Sequence, residues 1–320
     1  MTQLVCAILD DYQGIARAMA DWSAVESKAD LRVFRERFAD DDALVAAVAD
    51  CDVVVAMRER TRFGASVFAR LPRLRLLVTT GMRNAAIDME AARAHGVTVC
   101  GTASQTAPPA ELTWALLLAL AKHVVREHTA LRTNGPWQST VGGDLAGRRL
   151  GLLGLGKIGS RVARVGLAFG MDVVAWSQNL TRESADALGV QLAPSKASLL
   201  ETSDYVSIHL VLSGRTHGLL GRDDLRRMKP TAYLINTSRG PIVDEAALVE
   251  ALSQGWIGGA GLDVFDVEPL PAASPFRTLP NVLATPHLGY VTEANYKVYY
   301  GEAAEDVAAF LNGSPIRVVN

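Results

Sequence analysis

The first hundred residues alternate short, wholly apolar runs with segments whose apolar positions recur at helical spacing. The runs at 5–9, 31–34, 53–57, 74–78 and 97–100 are brief, rich in β-branched residues and bounded by polar positions. They predict parallel strands buried on both faces, because a half-exposed strand would alternate apolar with polar residues. Segments 41–50, 64–71 and 88–95 carry helical spacing between them. A repeated βα unit predicts a doubly wound domain. It contains no glycine loop suited to a dinucleotide.

From 104 to about 132 the pattern predicts one long helix, started by Pro108-Pro109 and ended near Asn134-Gly135-Pro136. Its apolar face at Leu112, Leu116 and Leu120 is core-like, and its length predicts a bridge between domains or a contact with a second subunit. A second βα series follows, with strands predicted at 150–153, 172–176, 205–210, 232–236, 257–263 and 281–284. Helices are predicted at 157–169, at Ser184, near Arg222 and after Asp244, which is placed to cap Glu245-Ala246-Ala247-Leu248. The last segment, 292–311, is helical and expected to return to the first domain.

A chain of 320 residues, 49% of them hydrophobic, suits two domains, at roughly 150 residues for each. A net charge of −2 offers no general attraction for nucleic acid or anionic lipid. The three cysteines, Cys6, Cys51 and Cys100, stand in apolar contexts and read as reduced core residues of a cytoplasmic protein. Met1-Thr2-Gln3 leads directly into a strand pattern, with no secretory leader expected. The longest apolar stretch, around 112–121, is too short to cross a bilayer. Neither a membrane nor a nucleic acid is an expected partner.

Gly154-Leu155-Gly156-Lys157-Ile158-Gly159 changes the picture. It follows a predicted strand and opens a predicted helix, the setting in which such a loop holds a pyrophosphate. The first glycine permits a tight turn and the second lets phosphate approach the backbone. The third lets helix pack on strand, so that the helix N–H groups face the anion. A carboxylate usually ends the second strand and binds the adenosine ribose, yet here Trp176 is followed by Ser177-Gln178-Asn179. No arginine stands beside it either; Arg182 lies a little further on. NAD and NADP both remain open.

Three segments near the ends of later strands carry candidate chemistry. They are Asn236-Thr237-Ser238-Arg239-Gly240, Gly261-Leu262-Asp263-Val264-Phe265-Asp266-Val267-Glu268-Pro269 and Thr285-Pro286-His287-Leu288-Gly289. Arg239 can hold a carboxylate as a two-pronged fork. His287 is suited to general acid–base work near neutral pH. Glu268 beside it would favour the protonated imidazole. Redox chemistry on a small carboxylated substrate is the reaction that uses all three with a dinucleotide. His209 reads as a core or cofactor-side residue, and His95, His123, His128 and His217 as ordinary polar positions. No spaced set of histidines, cysteines and carboxylates suggests a metal site. Tyr290, Tyr296, Tyr299 and Tyr300 read as packing residues, with Tyr290 close enough behind His287 to line a cleft.

At these residues the chain resembles the D-isomer-specific 2-hydroxyacid dehydrogenases. The resemblance extends to Ala110-Glu111, Met228-Lys229-Pro230 and Asp244-Glu245-Ala246-Ala247-Leu248, and so covers nearly the whole chain. It implies an α/β protein of two doubly wound parallel-sheet domains. A Rossmann nucleotide domain, 104–288, would be inserted into a discontinuous flavodoxin-like substrate domain, 1–103 and 289–320. The active site would lie in the cleft between them, in a homodimer joined through the nucleotide domains. By motif position the resemblance makes Arg239 the substrate anchor, His287 the acid–base and Glu268 its partner. It assigns Gly154, Gly156, Lys157, Ile158, Gly159, Ser177, Leu210, Thr237 and Asp263 to the cofactor, with Asp263 on the nicotinamide carboxamide. Glu268 separates the chain from the formate dehydrogenase branch, which carries Gln there.

The family's glycine-rich substrate segment corresponds to Thr80-Gly81-Met82-Arg83-Asn84-Ala85-Ala86-Ile87-Asp88, in which Arg83 replaces a second glycine. Met57-Arg58-Glu59-Arg60-Thr61 resembles the arginine-bearing segment of phosphoglycerate dehydrogenases. Arg58, Arg60, Gly81, Met82 and Arg83 are therefore the expected substrate residues, the arginines facing a second anionic or strongly polar group. The expected activity is hydride transfer between NAD(P) and a small 2-keto or 2-hydroxy acid of D configuration. The alternatives are a dehydrogenase of phosphite or another small oxyanion, and a dinucleotide-sensing protein resembling a corepressor.

Overall fold

The computed structural model describes residues 3–320, and the chain forms two compact units. Met1 and Thr2, read above as the lead into the first strand, lie outside the described residues. One unit runs to Gln105 and resumes over Thr292–Asn320; the other is Thr106–Val291.

The first unit is built on β1 (Leu4–Ile8), β2 (Ala29–Val33), β3 (Val53–Ala56), β4 (Leu76–Thr79) and β5 (Thr98–Gly101). Their order is β2-β1-β3-β4-β5, with every pair parallel. This is the flavodoxin-like order. The predicted strand positions agree to within two residues. All of β3 and β4 is buried, as their unbroken apolar character requires. The helix Glu293–Leu311 belongs to this unit and buries Tyr296, Tyr299 and Tyr300. Beyond it the chain runs antiparallel to β5, where Val319 donates to the Val99 carbonyl at 2.8 Å.

The second unit holds β6 (Arg149–Leu153), β7 (Asp172–Trp176), β8 (Gln191–Leu192), β9 (Tyr205–Ile208), β10 (Tyr233–Asn236), β11 (Gly259–Leu262) and β12 (Val282–Ala284). The order is β12-β11-β10-β9-β6-β7-β8, again all parallel. It is the Rossmann order carried one strand further, and the winding reverses between β6 and β9. Crevices for ligands form at the carboxyl ends of strands beside such a switch point.

Two features differ from the sequence reading. The predicted long helix is two helices, Ala107–Ala121 and Val124–Arg132, separated by His123 in a left-handed conformation at φ +52°. Gly143 donates its N–H to the Ala121 carbonyl at 2.7 Å, which removes an acceptor that a continuous helix would use. The second helix buries no residue, so no core contact compels it to continue the first. The strand β8 and the short helices Ala16–Met19, Ser23–Glu26 and Lys196–Thr202 are also absent from the reading. Two to seven residues are too few to display a period.

Candidate active site

Within the second unit, β10, β11 and β12 are neighbours, and the three candidate segments leave their carboxyl ends in turn. Asn236 ends β10 and organises the turn that presents Arg239. Its Oδ1 accepts from the Ser238 N–H at 3.0 Å and its Nδ2 donates to the Arg239 carbonyl at 3.0 Å. Ser238 Oγ donates to the carbonyl of Ile208, the last residue of β9, at 2.7 Å. Gly240 is required by contact: a Cβ there would stand 2.2 Å from the carbonyl carbon of Phe265. The Arg-Gly pair thus seats the arginine turn directly on the loop that carries Glu268. Arg239 is half-buried, with Nη1 donating to the Ser238 carbonyl at 2.7 Å.

The imidazole of His287 meets Glu268 through Nδ1 and Oε2 at 2.6 Å. Glu268 is held in turn, since its Oε1 accepts from the Phe265 N–H at 2.9 Å. His287 has φ +53°, the left-handed backbone that non-glycine residues adopt uncommonly. The carboxylate of Asp263, at the end of β11, holds this turn in place. Its Oδ1 accepts from Thr285 Oγ at 2.6 Å and from the Leu288 N–H at 2.7 Å, and its Oδ2 accepts from the Gly289 N–H at 2.8 Å. Burial raises the Asp263 carboxyl above the usual carboxylate range, and these hydrogen bonds, with His287, oppose the rise.

The loop 154–159 lies at the switch point between β6 and β9. Gly154 takes φ +100°, and a Cβ there would stand 2.5 Å from the His209 carbonyl oxygen. A Cβ on Gly159 would stand 2.2 Å from the Gly154 carbonyl oxygen, so the helix Lys157–Ala168 can approach only with glycine at that position. Gly156 caps that helix without a side-chain hydrogen bond, and a Cβ on it would meet nothing within 4 Å. The space beside this helix start is therefore open, and helix N-termini suit anions. The residues present fit a dinucleotide pyrophosphate. Leu210 borders Gly154, and Lys157 is exposed. The Gly154 N–H bonds the Trp176 carbonyl at 2.9 Å, which places Ser177 beside the loop; Leu180 bonds back to Ser177 and closes a turn. Thr237, assigned to the cofactor by resemblance, bonds Thr113 Oγ at 2.8 Å on the helix Ala107–Ala121. Asp263, likewise assigned, has both oxygens engaged by the His287 turn.

Residues expected to read the substrate lie at the carboxyl edge of the first unit's sheet. Arg58, at φ +53°, donates from Nη1 to the Thr80 carbonyl at 3.1 Å and lies across Gly81, where any Cβ would collide with its guanidinium. Asn84 Nδ2 donates to the Arg58 carbonyl at 2.6 Å, tying the two segments together. Arg60 is packed: it donates to the Asp10 carbonyl at 2.6 Å and to Tyr296 Oη at 3.3 Å, and stacks 4.3 Å from the Tyr12 ring centroid. Met82 and Arg83 are exposed.

The sequence reading did not find the anchoring role of Asp263, the roles of Thr285 and Asn236, or the contact of Tyr290 with His287. The only signal for the first three was the position of a short polar side chain at or directly after the end of a strand. His209 bonds Ser207 through Nε2 at 2.9 Å, and burial pushes its imidazole down to about 3, so it stays neutral. Among the described residues, no group of three His, Cys, Asp or Glu side chains is arranged to hold a metal, and no helix is long and apolar enough to cross a membrane.

Comparison with known proteins gives consistent matches. Residues 114–289 match the family model for the NAD binding domain of D-isomer specific 2-hydroxyacid dehydrogenases. The glyoxylate reductase of Korarchaeum cryptofilum is 37% identical over 285 residues, covering 87% of this chain and 85% of that protein. The D-3-phosphoglycerate dehydrogenase of Methanocaldococcus jannaschii is 34% identical over 275 residues, covering 85% of this chain and 52% of that one. A crystal structure of a phosphoglycerate oxidoreductase from Vibrio cholerae superposes with a TM-score of 0.92 at 36% identity, covering 97% of this chain and 100% of that one.

Proposed function

The chain belongs to the D-isomer-specific 2-hydroxyacid dehydrogenase family, and from that membership we propose that it reduces a small 2-keto acid to the D-2-hydroxy acid with His287 as proton donor. It is an NAD(P)-dependent oxidoreductase of 2-hydroxy acids. The observation that carries the finer reading is the 2.6 Å contact between His287 Nδ1 and Glu268 at the carboxyl edge of a sheet with a dinucleotide loop.

The loop 154–159, Leu210 and the turn at Ser177 would hold the dinucleotide, which supplies the hydride donor or acceptor that no side chain can provide. Arg239 forks onto the substrate carboxylate and fixes the keto carbon. Glu268 takes the Nδ1 proton in hydrogen bond, so Nε2 is the atom that gives its proton to the keto oxygen. The carboxylate thereby fixes which ring nitrogen faces the substrate. In the oxidising direction Nε2 receives that proton back. Asp263 keeps the histidine turn in register throughout. Arg58 and Arg83 are the arginines we assign to a second anionic or strongly polar group on the substrate. Arg60 serves as scaffold.

A homodimer is part of the proposal, supported by the exposed apolar side chains Val124, Val125, Leu131, Trp137 and Val141 of the second unit. Three buried free thiols suit a cytoplasmic setting.

The test is a paired screen of NADH and NADPH against 2-keto acids bearing different second groups, run on wild type and His287→Gln. Wild type should oxidise reduced cofactor only when a keto acid is added. His287→Gln should lose about 10²- to 10⁴-fold in kcat while still binding cofactor. Silence across the panel, or a fully active His287→Gln, would overturn the proposal.

A further inference from the structure

The imidazole of His287 is contacted from several sides. Glu268 fixes Nδ1, and Asp263 fixes the backbone on either side of the ring. A hydrogen bond tolerates small coupled changes in χ1 and χ2, so the ring can still rock and shift Nε2. A general acid that rocks presents Nε2 to the reacting oxygen for only part of the time.

Tyr290 packs against the ring. Its ring centroid lies 5.2 Å from that of the imidazole at an interplanar angle of 71°, the edge-to-face arrangement that aromatic pairs prefer. The tyrosine is 8% exposed, so its own position is fixed by packing. The local backbone explains how it reaches the histidine: Val291 donates to the Leu288 carbonyl at 2.8 Å, closing a turn that folds Tyr290 back over His287. Gly289, inside that turn, is held by Asp263 at 2.8 Å, and a Cβ on it would stand 3.1 Å from the same carboxylate oxygen. One short segment therefore supplies the acid, the glycine that lets it anchor, and the ring that faces it.

We infer that Tyr290 is a positioning residue for the acid–base histidine, its ring setting the tilt of the His287 imidazole so that Nε2 keeps one direction. This rests on the reading of His287 as the proton donor. The aromatic face is what acts.

The experiment is a double-mutant cycle between positions 290 and 287, with cofactor binding followed separately by NADH and NADPH fluorescence. Tyr290→Ala should lower kcat by about tenfold or more, with cofactor dissociation constants unchanged within about twofold. Tyr290→Leu, which keeps most of the volume and protects the fold, should show the same loss. Tyr290→Phe should recover most of the rate. The loss should be equal for small and large keto acids, because a substrate wall would instead alter KM with substrate size. In a His287→Gln background, Tyr290→Ala should cost nothing further. A Tyr290→Leu enzyme with wild-type kcat, or a loss undiminished in the His287→Gln background, overturns the inference alone. A fully active His287→Gln overturns it together with the reading on which it rests.

Discussion

Gly289 donates its backbone N–H to Oδ2 of Asp263 across 2.8 Å, two residues beyond His287. The same carboxylate takes Thr285 Oγ and the Leu288 N–H on its other oxygen, so the turn carrying the histidine closes around one buried acid. Replacing Asp263 by Asn keeps one oxygen but turns an amide N–H₂ toward a donor, leaving a buried clash of donors. Asp263→Asn should lower kcat by about tenfold to a hundredfold through displacement of His287. Cofactor affinity, measured by fluorescence titration, should change far less. A large loss of affinity with kcat intact would favour direct contact with the cofactor.

Gly240 joins the arginine turn to the glutamate loop. A methyl group there would have to displace the Phe265 backbone, which no rotamer change can relieve. Gly240→Ala should reduce kcat/KM by more than about tenfold while leaving the loop 154–159 competent to bind cofactor. Steady-state kinetics beside a cofactor titration separates the two effects. Unaltered kcat/KM would show that the contact relaxes without cost.

His209 gives a pH dependence whose sign is set by burial. Its folded value of about 3 lies below the ordinary 6.5, so the unfolded chain binds the proton more readily. The stability linked to this group is full above pH 6.5 and is lost as pH falls from there toward 3. His209→Gln, which can still bond Ser207, should therefore flatten the fall of the thermal midpoint between pH 7 and pH 4. Parallel curves for wild type and variant would contradict a buried neutral imidazole.

Arg83 is exposed, whereas Arg60 is packed among Asp10, Tyr12 and Tyr296. Arg83→Ala should lower kcat/KM for doubly anionic 2-keto acids by about tenfold, the worth of one charge-assisted hydrogen bond, and spare substrates of lactate size. Arg60→Ala should instead lower thermal stability. Equal losses on both substrate classes would remove Arg83 from substrate recognition.

Much of this was legible without coordinates. Uninterrupted β-branched runs belong to strands buried on both faces, so their positions needed no partner to reveal them, and both parallel sheets follow from that. The glycine loop was readable because its chemistry is local: a strand, a turn and a helix within a dozen residues. Arg239, Glu268 and His287 could be named from their motifs, each close behind an apolar run. The break at His123 was hidden, because it depends on Gly143 reaching back to the Ala121 carbonyl from twenty residues away. Nor could periodicity show that Thr237 turns toward Thr113, or that Arg60 is held by Asp10 and Tyr296.

Fold class, the dinucleotide loop and three side chains suited to the proposed chemistry were thus legible in the chain alone. These depend on hydrophobic period and on neighbours a few positions apart. What holds those side chains in place emerges from the folded chain. Asp263 just after β11 meets the turn after β12, Gly240 after β10 meets Phe265, and Tyr290 packs against His287. The first two join segments separated in the chain by some twenty-five residues and depend on strand order, whereas the third depends on how one turn closes. No periodic pattern encodes the first two contacts, because each arises only after parallel strands have paired and their loops have been brought side by side.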